Sequence, residues 1–362
     1  MGLCAFCKVD SEEQLKSCVC KKVSYCSKDC QVKDWKTHRP SCPPYVIRES
    51  PGKGRGLFAT RKIKEGLVIL EEYPLFTLKD GSLTEIQAKY PTIDEETKAK
   101  ILEFNDPAED IKKLDTDTVE KLVSKNPLMM FYKEAKTDEI SKIIRIITGN
   151  GLKICGEKEL YSYTTEGGLY DKISLINHGC VPTATISWVI GDFKKKQVRA
   201  MMVIEKDQEI LISYFNTEEF CYGSREFRRR QLLEMRGFMC ECSECSLEGE
   251  DLQENEGMRV EIREKEDETE QLLRRERSDP VPRKSVKKAM KLAQRRVKLI
   301  KKLNLRTDFV AEMLNFYRAA IIARKMDIRC ENDPDIFKQE ALKYAKMFGD
   351  NYIHHYNKSF NN

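Results

Sequence analysis

The sequence predicts an α+β chain in three parts: a metal-nucleated module, a β-rich centre interrupted by helices, and an all-α end. Three observations carry this. Cysteine and histidine residues fall in closely spaced pairs between Cys4 and Cys42. Short apolar strands bounded by glycine lie on either side of a stretch with apolar residues at threes and fours. Beyond Cys245 the chain is charged and amphipathic, with no alternating pattern.

The 362 residues allow two or three domains and an ample core. Charged residues make up 34% against 40% hydrophobic, which places the chain among globular rather than disordered sequences. No apolar run approaches about 18 residues, so no membrane span is expected. Met1-Gly2-Leu3-Cys4 lacks the charged and apolar regions of a secretory leader, and Phe6 stands where an acylation signal would have Ser or Thr. The 14 cysteines are therefore read as metal thiolates in a reducing compartment, with cytoplasm and nucleus as the expected locations. The net charge of +5 permits an acidic partner without requiring one, and a monomer is expected.

Cys4-x2-Cys7, Cys18-x-Cys20, Cys26-x3-Cys30 and His38-x3-Cys42 supply enough ligands for two tetrahedral zinc sites. With few apolar residues beyond Leu15, Val23, Tyr25 and Trp35, metal binding has to supply this module's folding free energy. Pro43-Pro44 is a stiff linker, Tyr45-Val46-Ile47 starts a strand, and Gly52-Lys53-Gly54-Arg55-Gly56 is a glycine loop before an extended Leu57-Phe58-Ala59-Thr60. From about Gly81 to Thr148 the pattern is helical, with a break at Asn126-Pro127. The centre of the chain is Asn177-His178-Gly179-Cys180, followed by the strand Ile210-Leu211-Ile212-Ser213-Tyr214. Cys240-x-Cys242-x2-Cys245 comes after it, and Cys180 with this triad makes a third tetrahedral, four-thiolate set. In the last third, 248–277 reads as an exposed mixed-charge helix. The next helix, 284–305, has one apolar stripe and a basic remainder, with ten Lys or Arg and no acid between Arg283 and Lys302. That face allows nucleic acid, but packing against the preceding acidic helix is the favoured reading. Helices over 309–326 and 336–348 complete the chain, the second capped by Asp333, Pro334 and Gly349.

Two resemblances organise these pieces. Tyr25-Cys26-x3-Cys30-Gln31-x3-Trp35-x2-His38-x3-Cys42 resembles a MYND zinc finger. The glycine loop, Asn150, Asn177-His178-x-Cys180-x-Pro182, Glu209-x4-Tyr214 and Phe238-x-Cys240-x-Cys242-x2-Cys245 occur in the order of a SET domain with its post-SET zinc site. Together they resemble the SET-and-MYND protein-lysine methyltransferases, in the arthropod-like branch whose finger precedes the SET domain. The resemblance implies a MYND finger at 1–43, SET segments at 44–80 and 149–225 around a helical insert at 81–148, a post-SET segment at 226–248, and a tetratricopeptide-like helical domain at 249–362. It implies interleaved finger ligands, with Cys4, Cys7, Cys26 and Cys30 on one zinc and Cys18, Cys20, His38 and Cys42 on the other. The third zinc falls to Cys180, Cys240, Cys242 and Cys245. It also implies an S-adenosylmethionine site made by Lys53, Gly54, Arg55, Asn150, Asn177, His178 and Phe238, with Tyr214 at the methyl group and Tyr170 walling the lysine channel. The expected partners are a substrate protein lysine, histone or not, and a proline-rich peptide at the finger.

Four features depart from the family pattern. The motif has Gly179 and Thr183 where the family has serine and a second asparagine. Arg236 stands where an aromatic residue lines the channel, and Cys18-x-Cys20 is one residue shorter than usual. Gly179, Thr183 and Arg236 leave a second reading, a SET-fold adaptor that recruits partners without catalysis.

Overall fold

The computed structural model describes the chain apart from residues 1, 11–14, 80–81, 127, 135, 137, 154–165, 190–191, 216–217, 274–281, 307–337, 340, 344 and 346–362. The finger pairs β1 (Lys16–Ser17) with β2 (Ser24–Tyr25) and adds α1 (Lys28–His38), whose N-cap Ser27 accepts the Cys30 N–H. Arg61 of the SET region fastens the finger in place, donating to the Cys42 carbonyl at 2.9 Å and lying 5.4 Å from the Trp35 ring centroid.

The SET region is built from small antiparallel sheets rather than one large one. β3 (Tyr45–Ser50) and β4 (Gly54–Ala59) form a hairpin through Gly52, which takes the left-handed φ of +74°. β5 (Val68–Glu72) and β6 (Phe76–Leu78) come next. The insert then runs through α2 (Leu83–Lys89), α3 (Glu95–Leu102), α4 (Pro107–Ile111), α5 (Thr116–Lys125), α6 (Leu128–Lys133) and α7 (Glu139–Asn150). Ser82, Asp94, Asp106, Asp115 and Asp138 each cap one of these helices by accepting a first-turn N–H, which explains the many separate starts in a short stretch. Buried Arg145 on α7 bonds the carboxylate of Asp106 at 2.6 Å and ties the two helices.

After β7 (Leu152–Lys153) and β8 (Gly167–Leu169) come β9 (Ala184–Val189), β10 (Asp192–Ala200) and β11 (Glu209–Ile210). The sheet orders are β5-β10-β9, β11-β4-β3 and β6-β8-β7. Their shared core includes Leu57, Ile63, Tyr170, Ile173, Val198, Ile204 and Ile210. Then α8 (Glu218–Cys221) and α9 (Arg225–Arg236) lead to Cys240, Cys242 and Cys245. α9 is stopped by Gly237 in the left-handed region at φ +77°.

The helical pair α10 (Gly249–Leu273) and α11 (Arg283–Lys302) is antiparallel. The basic face of α11 meets the acidic face of α10 through Arg295–Glu261 at 2.8 Å, Arg296–Glu266 at 3.0 Å and Lys302–Glu254 at 2.5 Å. Packing against the acidic helix therefore takes up much of the charge that had left nucleic acid open. The helix read over 309–326 lies outside the described residues. That over 336–348 is seen only as helical residues at 338–339, 341–343 and 345.

Candidate active site and zinc centres

The three ligand sets expected from spacing and resemblance are each brought together, with all ligand atoms of a set within 4.8 Å of one another. Their Sγ···Sγ separations are 3.6 Å for Cys7–Cys26, 3.5 Å for Cys26–Cys30, 3.8 Å for Cys18–Cys42 and 3.6 Å for Cys180–Cys245. A tetrahedron with Zn–S bonds of about 2.3 Å has edges of about 3.8 Å, so the donor sets fit zinc. The short Cys18-x-Cys20 loop closes because Lys21 turns left-handed at φ +57°, letting its N–H reach the Cys18 carbonyl at 2.8 Å. Cys20 Sγ then lies 3.3 Å from His38 Nε2. In the third set, hydrogen bonding from Cys180 and its neighbours pulls the Cys242 thiol far down. The Cys240, Cys242 and Cys245 side chains push Cys180 up. Four sulfurs competing for one negative charge is the environment that a dication relieves.

Around the third set lie charges the sequence does not announce. Arg228 on α9 is fully buried, and its Nη1 donates to the Gly223 carbonyl at 2.5 Å. Its Nε and Nη2 have no hydrogen-bond partner among the described residues. Burial opposes the guanidinium's charge, but the Cys180 and Cys245 thiols beside it more than offset that and raise its pKa. Arg228 thus brings a cation to a site that four thiolates and Zn²⁺ would leave at about −2.

His178 joins this centre to Tyr214. The Tyr214 backbone N–H donates to His178 Nδ1 at 3.1 Å, so the neutral ring carries its proton on Nε2, 3.4 Å from Cys180 Sγ. Burial lowers the His178 pKa to about 4 and keeps the ring neutral. Both ring nitrogens are committed inside the protein, so any contact with a cofactor falls to the His178 main chain. The segments themselves run side by side. Ile212 N–H donates to the Asn177 carbonyl at 3.0 Å, and Gly179 N–H to the Ile212 carbonyl at 2.9 Å.

This close passage explains two of the departures. A Cβ on Gly179 would sit 3.0 Å from Leu211 Cδ1, so glycine suits the crowding where the family has serine. Thr183 Oγ1 accepts the Leu211 N–H at 2.9 Å and so pairs a half-buried backbone donor.

Tyr214 packs on that ring set. Its hydroxyl donates to the Ile176 carbonyl at 3.1 Å, and its ring centroid lies 5.3 Å from His178 and 6.2 Å, edge to face, from Phe238. The Arg236 guanidinium stands 5.6 Å from the same ring. Tyr170 takes a different position. It is fully buried in the SET core, with its hydroxyl donating to the Lys194 carbonyl at 2.7 Å, and it reaches Tyr214's surroundings only through the apolar cluster on which Tyr214 packs.

The glycine turn meets the motif through Glu209. Asn177 Nδ2 donates to Glu209 Oε1 at 2.8 Å and to the Arg55 carbonyl at 3.1 Å. Lys53 pairs with the other Glu209 oxygen at 3.4 Å. A Cβ on Gly56 would stand 2.5 Å from Glu209 Oε1 and 2.8 Å from Asn177 Nδ2, so only glycine admits this junction. Glu209 was legible as part of the Glu209-x4-Tyr214 order but not as the residue holding Lys53 and Asn177 together. Beside the turn a cavity of about 510 Å³ opens, lined by Gly54, Arg55, Asn105 and Asp106 among others. Its size suits a nucleoside-sized ligand. Asn177, His178, Tyr214 and Phe238 do not line it. Asn150 ends α7, and its amide donates to the Asn105 carbonyl at 3.0 Å and the Ile146 carbonyl at 2.9 Å.

Comparison with known proteins agrees with this architecture. A MYND finger model matches residues 4–42 and a SET domain model residues 54–215. The matched finger thus precedes the matched SET domain in this chain. It is 30% identical over 242 residues to histone-lysine N-methyltransferase ASHR1 of Arabidopsis thaliana, covering 64% of this chain and 44% of that protein. It is 26% identical over 267 residues to human histone-lysine N-methyltransferase SMYD3, covering 69% and 53%. N-lysine methyltransferase SMYD2-A of Xenopus laevis is 24% identical over 252 residues, covering 68% and 52%. The chain spans about half the length of the curated relatives it matches.

Proposed function

We propose that this chain is an S-adenosylmethionine-dependent protein-lysine N-methyltransferase acting on histone or non-histone lysines. The observation that carries the reading is the Tyr214 hydroxyl, fixed on the Ile176 carbonyl among the rings of His178 and Phe238. The printed names of the relatives point the same way. Lys53, Gly54, Arg55, Asn150, Asn177 and Phe238, with the His178 main chain, would hold the cofactor. When bound, it supplies an electron-poor methyl group on a sulfonium.

The residues around that point do three things. Burial pushes the Tyr214 pKa up to about 12, so the hydroxyl stays protonated, donates to Ile176 and keeps lone pairs for the methyl group. The rings of His178, Tyr214 and Phe238 exclude water. Arg236, 5.6 Å from the Tyr214 ring, opposes the charge of a protonated lysine and so favours its neutral form, and it opposes the cofactor's sulfonium by the same repulsion. A proline-rich peptide at the finger, a monomeric state and a place in cytoplasm and nucleus remain part of the proposal.

Calorimetric titration of the zinc-loaded protein with S-adenosylmethionine, followed by mass spectrometry of a lysine-rich protein array, tests it. Saturable binding and a mass gain on lysine are expected. A folded, zinc-loaded protein that binds no cofactor would overturn it.

A further inference from the structure

Between the finger and the SET sheets runs a groove of about 1100 Å³ whose lining includes none of Tyr214, His178 or Phe238. Two edge strands contribute to its lining. β3 is hydrogen-bonded only to β4, and β5 only to β10, among the described residues. Residues 45–47 of β3 and 68–72 of β5 both line the groove, so two sets of outward main-chain groups border one space.

The walls are cationic. Lys21, Lys22 and Arg39 of the finger and Lys64 of the SET region are exposed and have no carboxylate partner among the described residues. The acids that line the groove are already engaged. Glu71 pairs with Lys195 at 2.6 Å, and Glu72 accepts the N–H groups of Lys172 and Ile173 at 3.0 Å. Two exposed apolar side chains, Val19 and Leu67, line the same groove. The finger cannot swing freely from this groove, because Arg61 holds it to the Cys42 and Pro43 carbonyls.

We propose that this groove binds an extended acidic peptide, which adds a strand to an open edge and alternates acidic with apolar side chains. Unpaired edges recognise an extended main chain, the four cations require negative charge, and Val19 and Leu67 accept the side chains between. A proline-rich ligand fits less well, since proline has no N–H to give a strand edge. The proposal is independent of methyl transfer.

The test uses the zinc-loaded full chain and fluorescence anisotropy with labelled Glu-Val-Glu-Val-Glu-Val, its Lys-Val counterpart, and the acidic peptide N-methylated at alternate residues. The acidic peptide should bind saturably and more weakly with added salt, and the lysine peptide should not bind. The combined exchange Lys21→Glu, Lys22→Glu, Lys64→Glu changes only exposed residues and should weaken binding by about tenfold or more. N-methylation keeps the charge and removes strand-pairing N–H groups, so it should abolish binding. Failure of the acidic peptide to bind, or equal binding by the charge-reversed protein, would overturn the proposal. So would unaltered binding of the N-methylated peptide, or displacement of the acidic peptide by an oligonucleotide that binds more tightly.

Discussion

Replacing Arg228 by methionine keeps the length and apolar stem of the side chain and removes its charge from beside Cys180 and Cys245. In the structure this deletes the donor to the Gly223 carbonyl and a buried cation whose charge the Cys180 and Cys245 side chains favour. A hydrogen bond from a charged group contributes about 1.5–3 kcal/mol, and loss of an outer partner weakens metal binding by about 10–100-fold. Arg228→Met should therefore release its third zinc equivalent about 10–100-fold more readily, a shift of about 1.4–2.8 kcal/mol, while both finger zincs are retained as before. The assay is competition with a chromophoric chelator, read as successive zinc equivalents. Arg228→Lys restores the charge and should recover part of the loss. Arg259, whose pKa is lowered by burial and then by Arg228, loses a repulsive neighbour in the methionine variant and keeps one in the lysine variant. A purely architectural Arg228 would lower the unfolding midpoint of both variants and leave zinc release at the wild-type rate, and that result would refute the electrostatic role.

The geometry fixes three further outcomes. Native mass spectrometry should find three zinc ions per chain and two after Cys242→Ser; an unchanged count would remove the third site. His178 is neutral in the folded chain down to about pH 4, whereas the unfolded residue takes up its proton near 6.5. Its contribution is thus complete above about pH 6.5 and falls as pH drops toward 4, by about 1 kcal/mol between 6.5 and 5.5 and about 3 in all. His178→Gln should lose that slope in urea unfolding, and identical slopes for the two proteins would contradict it. Gly56→Ala should force the Glu209–Asn177 junction apart, lowering stability by about 1–3 kcal/mol and weakening cofactor binding in calorimetry; an unaltered variant would show that the junction yields freely.

The finger's ligand pairs and the Cys240, Cys242 and Cys245 triad could be read from spacing because chelation demands close cysteines, whereas the interleaving and the place of Cys180 came from the resemblance. The insert could be read from apolar periodicity, while its aspartate caps, which act within a few residues, came only with the structure. Arg228 could not: nothing in Arg228-Arg229-Arg230 says which guanidinium turns inward, since that depends on where Cys180 arrives from far upstream. The same holds for the Glu209 bridge and for the His178 ring, whose partners come from separate segments. Tyr170 shows the converse. Its place in the sequence suits a channel wall, yet the Lys194 carbonyl on β10 holds its hydroxyl in the core.

The central claim rests on one oxygen, and Tyr214→Phe removes that oxygen while keeping the ring between His178 and Phe238. A positioned polar group acting in the transition state is worth about 3 kcal/mol, or about a hundredfold in rate. Single-turnover methyl transfer to one lysine substrate should fall by that amount in the variant, with S-adenosylmethionine affinity within about threefold of wild type. Equal rates in the two proteins, with chemistry limiting, would show that Tyr214 packs against the site without taking part in the transfer.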